Sequence, residues 1–330
     1  MERSENVEQK DILVVKDLRV WYPIRRLLTI VGYVRAVDGV SFTAPRGKIL
    51  AIVGESGCGK TTLARAILSL VPVTSGSIIF EGKDITKLPR SIVRTWYTKQ
   101  VGLVQQDPYG AMPPFMSIKT ILEEPMKIHG VPKKERYERV HGLLTDVGLT
   151  PPEDFIHKYP HMLSGGQLQR VAIARALVLN PKLVIADEPV SMLDASVRIE
   201  ILTLFRELKD KYNLTVLYIT HDFATAKFFS DEIMVMYAGQ IVEVGGAKDI
   251  IANPKHPYTK SLIDVLPDPD PQNRFIIKKT LPGEPPSLIR PPPGCRLWPR
   301  CPHVTEKCKR EEPPLLEIPG GRKVKCWLYA

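Results

Sequence analysis

Long apolar runs are missing. Nothing in the 330 residues approaches the ~18 to 20 consecutive apolar residues that a bilayer span needs. The opening, Met1 to Asp11, is charged and has no apolar core of the kind a signal peptide carries. A membrane role is therefore expected to come through a partner, and the working compartment to be the reducing cytosol, where disulfides are rare. No internal repeat is visible. Asn (5) and Gln (8) are scarce, a composition that points toward a hot habitat.

What is present is ordinary for a folded chain. Hydrophobic residues make up 44% and charged residues 25%, with a mean hydropathy of -0.08, which excludes a disordered or collagen-like class. A mass of 37.1 kDa suits two units, or one large unit with an appendage. Lys and Arg outnumber Asp and Glu by 46 to 36; the net charge of +10 fits nucleic acid, an anionic membrane surface or a phosphate-bearing ligand. Residues 255–330 hold 14 of the basic and 8 of the acidic residues, and about half of the 30 prolines. Each proline removes a backbone donor and fixes φ, so this tail reads as an irregular appendage on a regular domain.

The remainder alternates between two periodicities. Ile12 to Val20, Ala36 to Ala44 and Lys48 to Val53 read as strands, with 23–35 as an insertion. A helix follows at Thr61 to Leu70, where Leu63, Ala66, Ile67 and Leu70 share a face. Residues 117–180 turn helical, with breaks at Pro125, Gly130, Pro132 and Gly148. Strands at Lys182 to Ala186 and Leu214 to Ile219 flank a helix at Ser196 to Tyr212. Strand, helix, strand with right-handed crossovers predicts an α/β fold with a mainly parallel sheet.

Gly54-Glu55-Ser56-Gly57-Cys58-Gly59-Lys60-Thr61 fits G-x-x-x-x-G-K-[ST] between a strand and a helix. Its glycines let backbone amides wrap phosphates, and the helix start adds positive potential. Lys60 would reach the β/γ-phosphates and Thr61 would ligate Mg²⁺, with Thr62 following. A random chain of this length would match about once in a hundred, and the strand–helix context lowers that further. Leu183 to Glu188 is an apolar strand ending in two carboxylates: Asp187 suits Mg²⁺, and Glu188 suits polarising a water. Alone, that strand end is as readily an ordinary solvated one. Leu163-Ser164-Gly165-Gly166-Gln167 opens a helical run to Leu179, so its amides form a second candidate anion site.

Together with Thr220-His221-Asp222, these motifs resemble the ATP-binding cassette (ABC) ATPases from about Ile12 to Gly246. Lys60 to Ser164 spans 104 positions and Ser164 to Asp187 spans 23, which fit one cassette. The resemblance implies a P-loop NTPase of ABC type: a mainly parallel core, an antiparallel β subdomain and an inserted helical subdomain at about 117–180, together occupying 1–252. It implies that Ser164, Gly165, Gly166 and Gln167 bind ATP held by an opposing cassette, with Asp194 linking the two sites. Gln106 resembles the glutamine that touches Mg²⁺ and water, with Gln105 beside it as the alternative. His221 matches the γ-phosphate contact. Tyr22 matches the adenine-stacking aromatic, with Trp21 and Tyr33 as alternatives and a plain edge-strand aromatic as the bland one.

The tail, 253–330, resembles the extension of the oligopeptide and dipeptide importer branch, through Asn253 to Thr259, Leu266 to Pro269 and Gly294 onward. Tyr22-Pro23 and the insertion after it resemble the F-type member of that branch's D/F pair. The resemblance implies a second, D-type cassette chain as heterodimer partner, two permease subunits, an extracytoplasmic substrate-binding protein, and a place on the cytoplasmic face of the membrane. The branch also contains nickel and oligosaccharide importers, so the cargo stays open. Cys295, Cys301, Cys308 and Cys326 have five, six and seventeen residues between them, without the short C-x₂-C knuckles of many zinc sites. Four thiolates suit an iron–sulfur cluster or zinc, and some members of the branch carry a [4Fe-4S] cluster on cysteines so placed. Free buried cysteines are the bland alternative, and a redox sensor that gates transport is a further one. The rival function, a soluble cassette acting on nucleic acid or ribosomes, rests on the net charge. It lacks both room for a long coiled coil and a second cassette.

Overall fold

The computed structural model describes residues 10–27, 29–266 and 281–330. The strands are β1 (Asp11–Arg26), β2 (Thr29–Pro45), β3 (Ile49–Val53), β4 (Ser75–Phe80), β5 (Lys83–Asp84), β6 (Val101–Val104), β7 (Leu183–Asp187), β8 (Thr215–Thr220), β9 (Glu232–Tyr237), β10 (Gln240–Gly246), β11 (Leu316–Ile318) and β12 (Arg322–Val324). The helices used below are α1 (Lys60–Ile67), α2 (Ile118–Ile128), α3 (Lys133–Asp146), α4 (Gly165–Leu177), α5 (Ala195–Tyr212), α6 (Phe223–Phe229) and α7 (Pro257–Asp264). Among the described residues no helix is long and apolar enough to cross a membrane. Pro267 to Pro269, part of the tail resemblance, lie outside the described residues.

The chain divides into two compact units. The first comprises the segment ending at Leu13, Ala44–Ile49 and Phe80–Ile219. Its centre is the parallel order β8-β7-β6, with Val101 opposite Leu183 and Leu183 opposite Thr215. Every residue of β8 is buried, and so are four of the five in β7, the apolar pattern expected of parallel strands covered on both faces. The crossovers are helical: α2, α3 and α4 lie between β6 and β7, and α5 between β7 and β8. Gly130, Pro132 and Gly148 break the helices as expected, but Pro125 sits inside α2. The buried face of Ile118, Ile121, Leu122 and Met126 offsets the one hydrogen bond that proline removes.

The second unit comprises Val14–Thr43, Leu50–Ile79 and Thr220–Ala330. Here the order is β3-β9-β10-β12-β11. β3 and β9 are parallel, Leu50 facing Glu232; the remaining pairs are antiparallel, with Gln240 facing Tyr237, Glu243 facing Val324 and Leu316 facing Val324. Among the described residues of the proline-rich tail, the hairpin β11–β12 continues the sheet past β10. A separate sheet places β1 between β2 and β4. In the segment 23–35, read as an insertion, β1 is lengthened to Arg26 and β2 starts at Thr29.

Candidate functional site

In the second unit, β3 stops at Val53, the loop Gly54–Gly59 turns, and α1 begins at Lys60. The turn demands glycine. Gly59 caps α1 at φ 108, and a Cβ there would stand 2.0 Å from the Ala36 carbonyl oxygen; one on Gly54 would stand 2.2 Å from that of Met236. Lys60 is buried at 5% exposure, and its ammonium donates to the Gly54 and Glu55 carbonyls at 2.7 and 2.9 Å. The first turn of α1 has no acidic residue, so its N-terminal potential is unopposed. Ser56, Gly57 and Thr61 are exposed, and Thr62 is half-buried. Cys58 is buried, which raises its thiol pKa, and its carbonyl accepts from Gly239 N at 2.8 Å.

Elsewhere in the same unit, His221 is exposed just past β8, and Asp222 caps α6 by accepting from Ala224 N at 2.8 Å. Of the three aromatics, Trp21 is engaged. Its Nε1 donates to Asp38 at 3.1 Å, the Arg35 guanidinium lies 4.8 Å from its ring, and Tyr33 is 6.1 Å away. Tyr22 is half-buried beside it.

In the first unit, the ends of β6 and β7 bring two loops together. Gln106 Nε2 donates to Glu188 Oε2 at 3.2 Å, whereas Gln105 borders a different cavity, near Arg175. Glu188 adopts φ 48, uncommon for a non-glycine residue, and is held there by its N–H donating to Ile219 O at 2.8 Å. The loop beyond folds back on it: Ser191 N and Oγ both donate to the Glu188 carbonyl, at 3.2 and 3.0 Å. That loop ends at exposed Asp194, which precedes α5. Ser164 opens α4 with a capping box, its Oγ accepting from Gln167 N at 3.3 Å and its N–H donating to Gln167 Oε1 at 3.1 Å. Gly166 has a second reason to be glycine: a Cβ would stand 2.9 Å from Val197 of α5. That packing carries no sequence signal.

The tail gathers its sulfurs. Cys295, Cys301, Cys308 and Cys326 line one cavity of about 180 Å³, with Trp298 and Trp327 among its walls. His303 N donates to Cys301 Sγ at 3.4 Å, and the Leu297 and Leu328 amides do the same for Cys295 and Cys326. The donor is two residues beyond its cysteine in all three. The Thr305 hydroxyl lies 3.2 Å from Cys308 Sγ. Burial pushes the Cys295 thiol up to about 11 and raises Cys301 and Cys326, so without a compensating cation these groups stay neutral thiols at pH 7. All four are free of disulfides. Among the described residues, no three His, Cys, Asp or Glu are grouped to hold a metal ion. The described residues therefore show no preformed site for zinc or for an iron–sulfur cluster. Arg296, Arg300 and the Tyr258 hydroxyl also approach the phosphate loop or its flanks, and no motif flags them.

Residues 37–191 match the family described as "ABC transporter", and 242–308 match "Oligopeptide/dipeptide transporter, C-terminal region". The chain is 42% identical over 328 residues to the oligopeptide transport ATP-binding protein AppF of Bacillus subtilis (strain 168), covering 98% of each. It is 40% identical over 329 residues to the dipeptide transport ATP-binding protein DppF of Escherichia coli (strain K12), covering 99% of this chain and 97% of that one. Among solved structures it is similar to cbiO1 from Clostridium perfringens, part of the ABC transporter complex cbiONQ. The TM-score is 0.64 and the identity 30%, over 74% of this chain and 92% of that one. It is also similar to the ATP-binding cassette MJ0796 bound to ADP and Pi, with TM-score 0.63 and 27% identity over 71% of this chain and 98% of that one. The relatives named here carry transport names, and nothing in them favours the nucleic-acid reading. Identity that runs the whole length, over a phosphate loop and a tail each matched separately, decides the matter: the chain belongs to the ABC transporter ATPases of the oligopeptide/dipeptide importer type.

Proposed function

We propose that this chain hydrolyses ATP to drive import of oligopeptides or dipeptides through two separate permease subunits. Its partner is a second, D-type cassette chain, it sits on the cytoplasmic face of the membrane, and an extracytoplasmic binding protein delivers the cargo. The names of the relatives support the peptide class. The observation that carries the catalytic reading is the Gln106–Glu188 hydrogen bond, which holds a carboxylate at a strand end directly after Asp187.

In this reading the loop of Gly54, Glu55, Ser56, Gly57, Cys58 and Gly59 wraps the phosphates, with the Glu55 N–H held by the Tyr258 hydroxyl and not by phosphate; Lys60 supplies the β/γ-phosphate cation, and Thr61 with Thr62 starts the helix beneath them. Thr61, Gln106 and Asp187 would hold Mg²⁺, which when bound neutralises charge between the phosphates. Glu188 orients the attacking water, His221 contacts the γ-phosphate, and Tyr22 stacks on adenine. Ser164, Gly165, Gly166 and Gln167 serve ATP on the partner cassette, with Asp194 between the two sites. The four cysteines line one cavity and three of them receive backbone N–H donors, and on the resemblance we assign them a [4Fe-4S] cluster that staples the proline-rich tail. Purification of the tagged chain from native membranes tests the assembly: two hydrophobic proteins and a second cassette chain should accompany it, and their absence would contradict it.

A further inference from the structure

The cysteine-bearing turn reaches the phosphate loop. Between Cys295 and Cys301 the backbone closes on itself, Trp298 N donating to Cys295 O at 3.0 Å and Arg300 N to Leu297 O at 2.9 Å. The sulfurs border the cavity, while two buried arginines leave the turn for other partners. Arg296 donates to the Asp38 carboxylate and the Ala238 carbonyl. Arg300, 8% exposed, donates to Pro282 O at 3.0 Å and the Tyr237 hydroxyl at 3.4 Å, and its Nη1 lies 3.5 Å from Glu55 Oε2. Glu55 is the second residue of the phosphate loop.

A second arm arrives at the same residue. The hydroxyl of Tyr258, a fully buried residue near the start of α7, accepts the Glu55 N–H at 3.0 Å. Its ring packs on Tyr237 with centroids 4.4 Å apart. Two residues earlier, His256 forms part of the cysteine cavity wall. Its Nδ1 accepts from Tyr258 N at 3.2 Å, and the ring also bonds the backbone of Lys325, which precedes Cys326. The main-chain amide and the carboxylate of Glu55 are thus each held by a residue whose chain neighbours line the cavity.

A buried guanidinium is costly unless its partners are fixed, so this arrangement has little freedom to drift. A phosphate loop binds by presenting amides already in place; loosening it adds an ordering cost to binding. We propose that Arg300 and Tyr258 are positioning residues of the phosphate loop, which act through Glu55 and link the folding of the cysteine turn to ATP affinity. The proposal rests on reading Gly54–Thr61 as the ATP-binding loop.

The test is equilibrium ATP binding to the full chain, with Tyr258→Phe alone and with Arg300→Lys and Arg300→Ala each alone and over Glu55→Ala. Tyr258→Phe keeps the ring against Tyr237 and removes only the acceptor, so it stands even where Arg300→Ala fails to fold. Tyr258→Phe and Arg300→Ala should each weaken ATP roughly five- to tenfold, with Arg300→Lys between wild type and Arg300→Ala; over Glu55→Ala, which removes the carboxylate that Arg300 meets but keeps the N–H that Tyr258 holds, the Arg300 variants should lose less than about twofold more. By reciprocity, ATP should slow proteolysis of the tail in the wild type and do so less in these variants, a readout that a merely structural role would not move. Affinities within about twofold of wild type, or equal Arg300 losses with and without the Glu55 carboxylate, would overturn the proposal. A wild-type chain that binds no ATP would instead overturn the reading of the loop beneath it.

Discussion

Gln106 Nε2 stands 3.2 Å from Glu188 Oε2, joining the loops that follow the adjacent parallel strands β6 and β7. A carboxylate placed so, at the end of a buried strand and in a left-handed backbone held by Ile219 O, is fixed before any substrate arrives. In the proposed role of general base, a carboxylate fixed in this way has a rate effect larger than that of a free one.

In the assembled transporter, Glu188→Gln should therefore lower ATP turnover roughly 10²- to 10⁴-fold while leaving ATP affinity close to wild type. Lys60→Ala should weaken ATP binding itself, since it deletes the cation that sits on the Gly54 and Glu55 carbonyls. Single-turnover hydrolysis set beside equilibrium binding separates the two effects. Loss of binding in Glu188→Gln would contradict the division of roles.

The glycines of the phosphate loop should differ sharply from one another. Gly59→Ala places a Cβ 2.0 Å from Ala36 O at φ 108, and should cost about 3 kcal/mol with loss of ATP binding. Gly57→Ala meets nothing within 4 Å, so only the φ of 77 opposes it, at about 1 kcal/mol. Denaturant unfolding of the two variants checks the order; equal losses would mean that the loop is not packed against Ala36.

Much of this is legible in the amino-acid sequence. Gly54 to Thr61, Leu183 to Glu188 and Leu163 to Gln167 announce themselves because phosphate binding fixes residue types at fixed spacings along one segment. The strands β3, β7 and β8 and the helix α5 lie within about a residue of where periodicity puts them, α5 being expected from Ser196 and found from Ala195, whereas β1 runs six residues past its expected end and β2 starts seven before its expected start. Pro125 misled because burial of one face of α2 outweighs a lost hydrogen bond, and no local rule sees that burial. The link from Arg300 and Tyr258 to Glu55 was unreadable for another reason. It joins residues more than 200 positions apart through a turn that has no phosphate-binding pattern of its own.

Glu81 gives the first unit a dependence on pH. Its carboxylate takes Lys182 Nζ at 2.7 and 2.9 Å and Arg46 Nη2 at 2.9 Å. Burial pushes its pKa up, but these hydrogen bonds and charges outweigh that and hold it below its ordinary 4.5. A depressed carboxylate stabilises the fold above the unfolded value, and that contribution is lost as pH falls through the folded one. Stability should thus drop on acidification from roughly pH 5 to 3, and less steeply in Glu81→Gln. Identical slopes would remove Glu81 from the account.

The cysteine cavity should hold iron. Protein purified without oxygen should be brown, with about four irons per chain and an absorbance that bleaches on reduction. Serine at Cys295, Cys301, Cys308 or Cys326 should open the tail to proteolysis, whereas Cys58→Ser should leave the iron unchanged. Zinc in place of iron would keep the ligands and change the metal; four reactive thiols with neither would remove the site.

The central claim is that this chain turns ATP hydrolysis into peptide import. Its most direct test is ATP turnover by the complex purified with the tagged chain from native membranes, measured with and without a peptide-loaded binding protein. Turnover should rise when the loaded binding protein is added, and Glu188→Gln should abolish the response while still binding ATP. Turnover indifferent to peptide and undiminished in Glu188→Gln would contradict the claim.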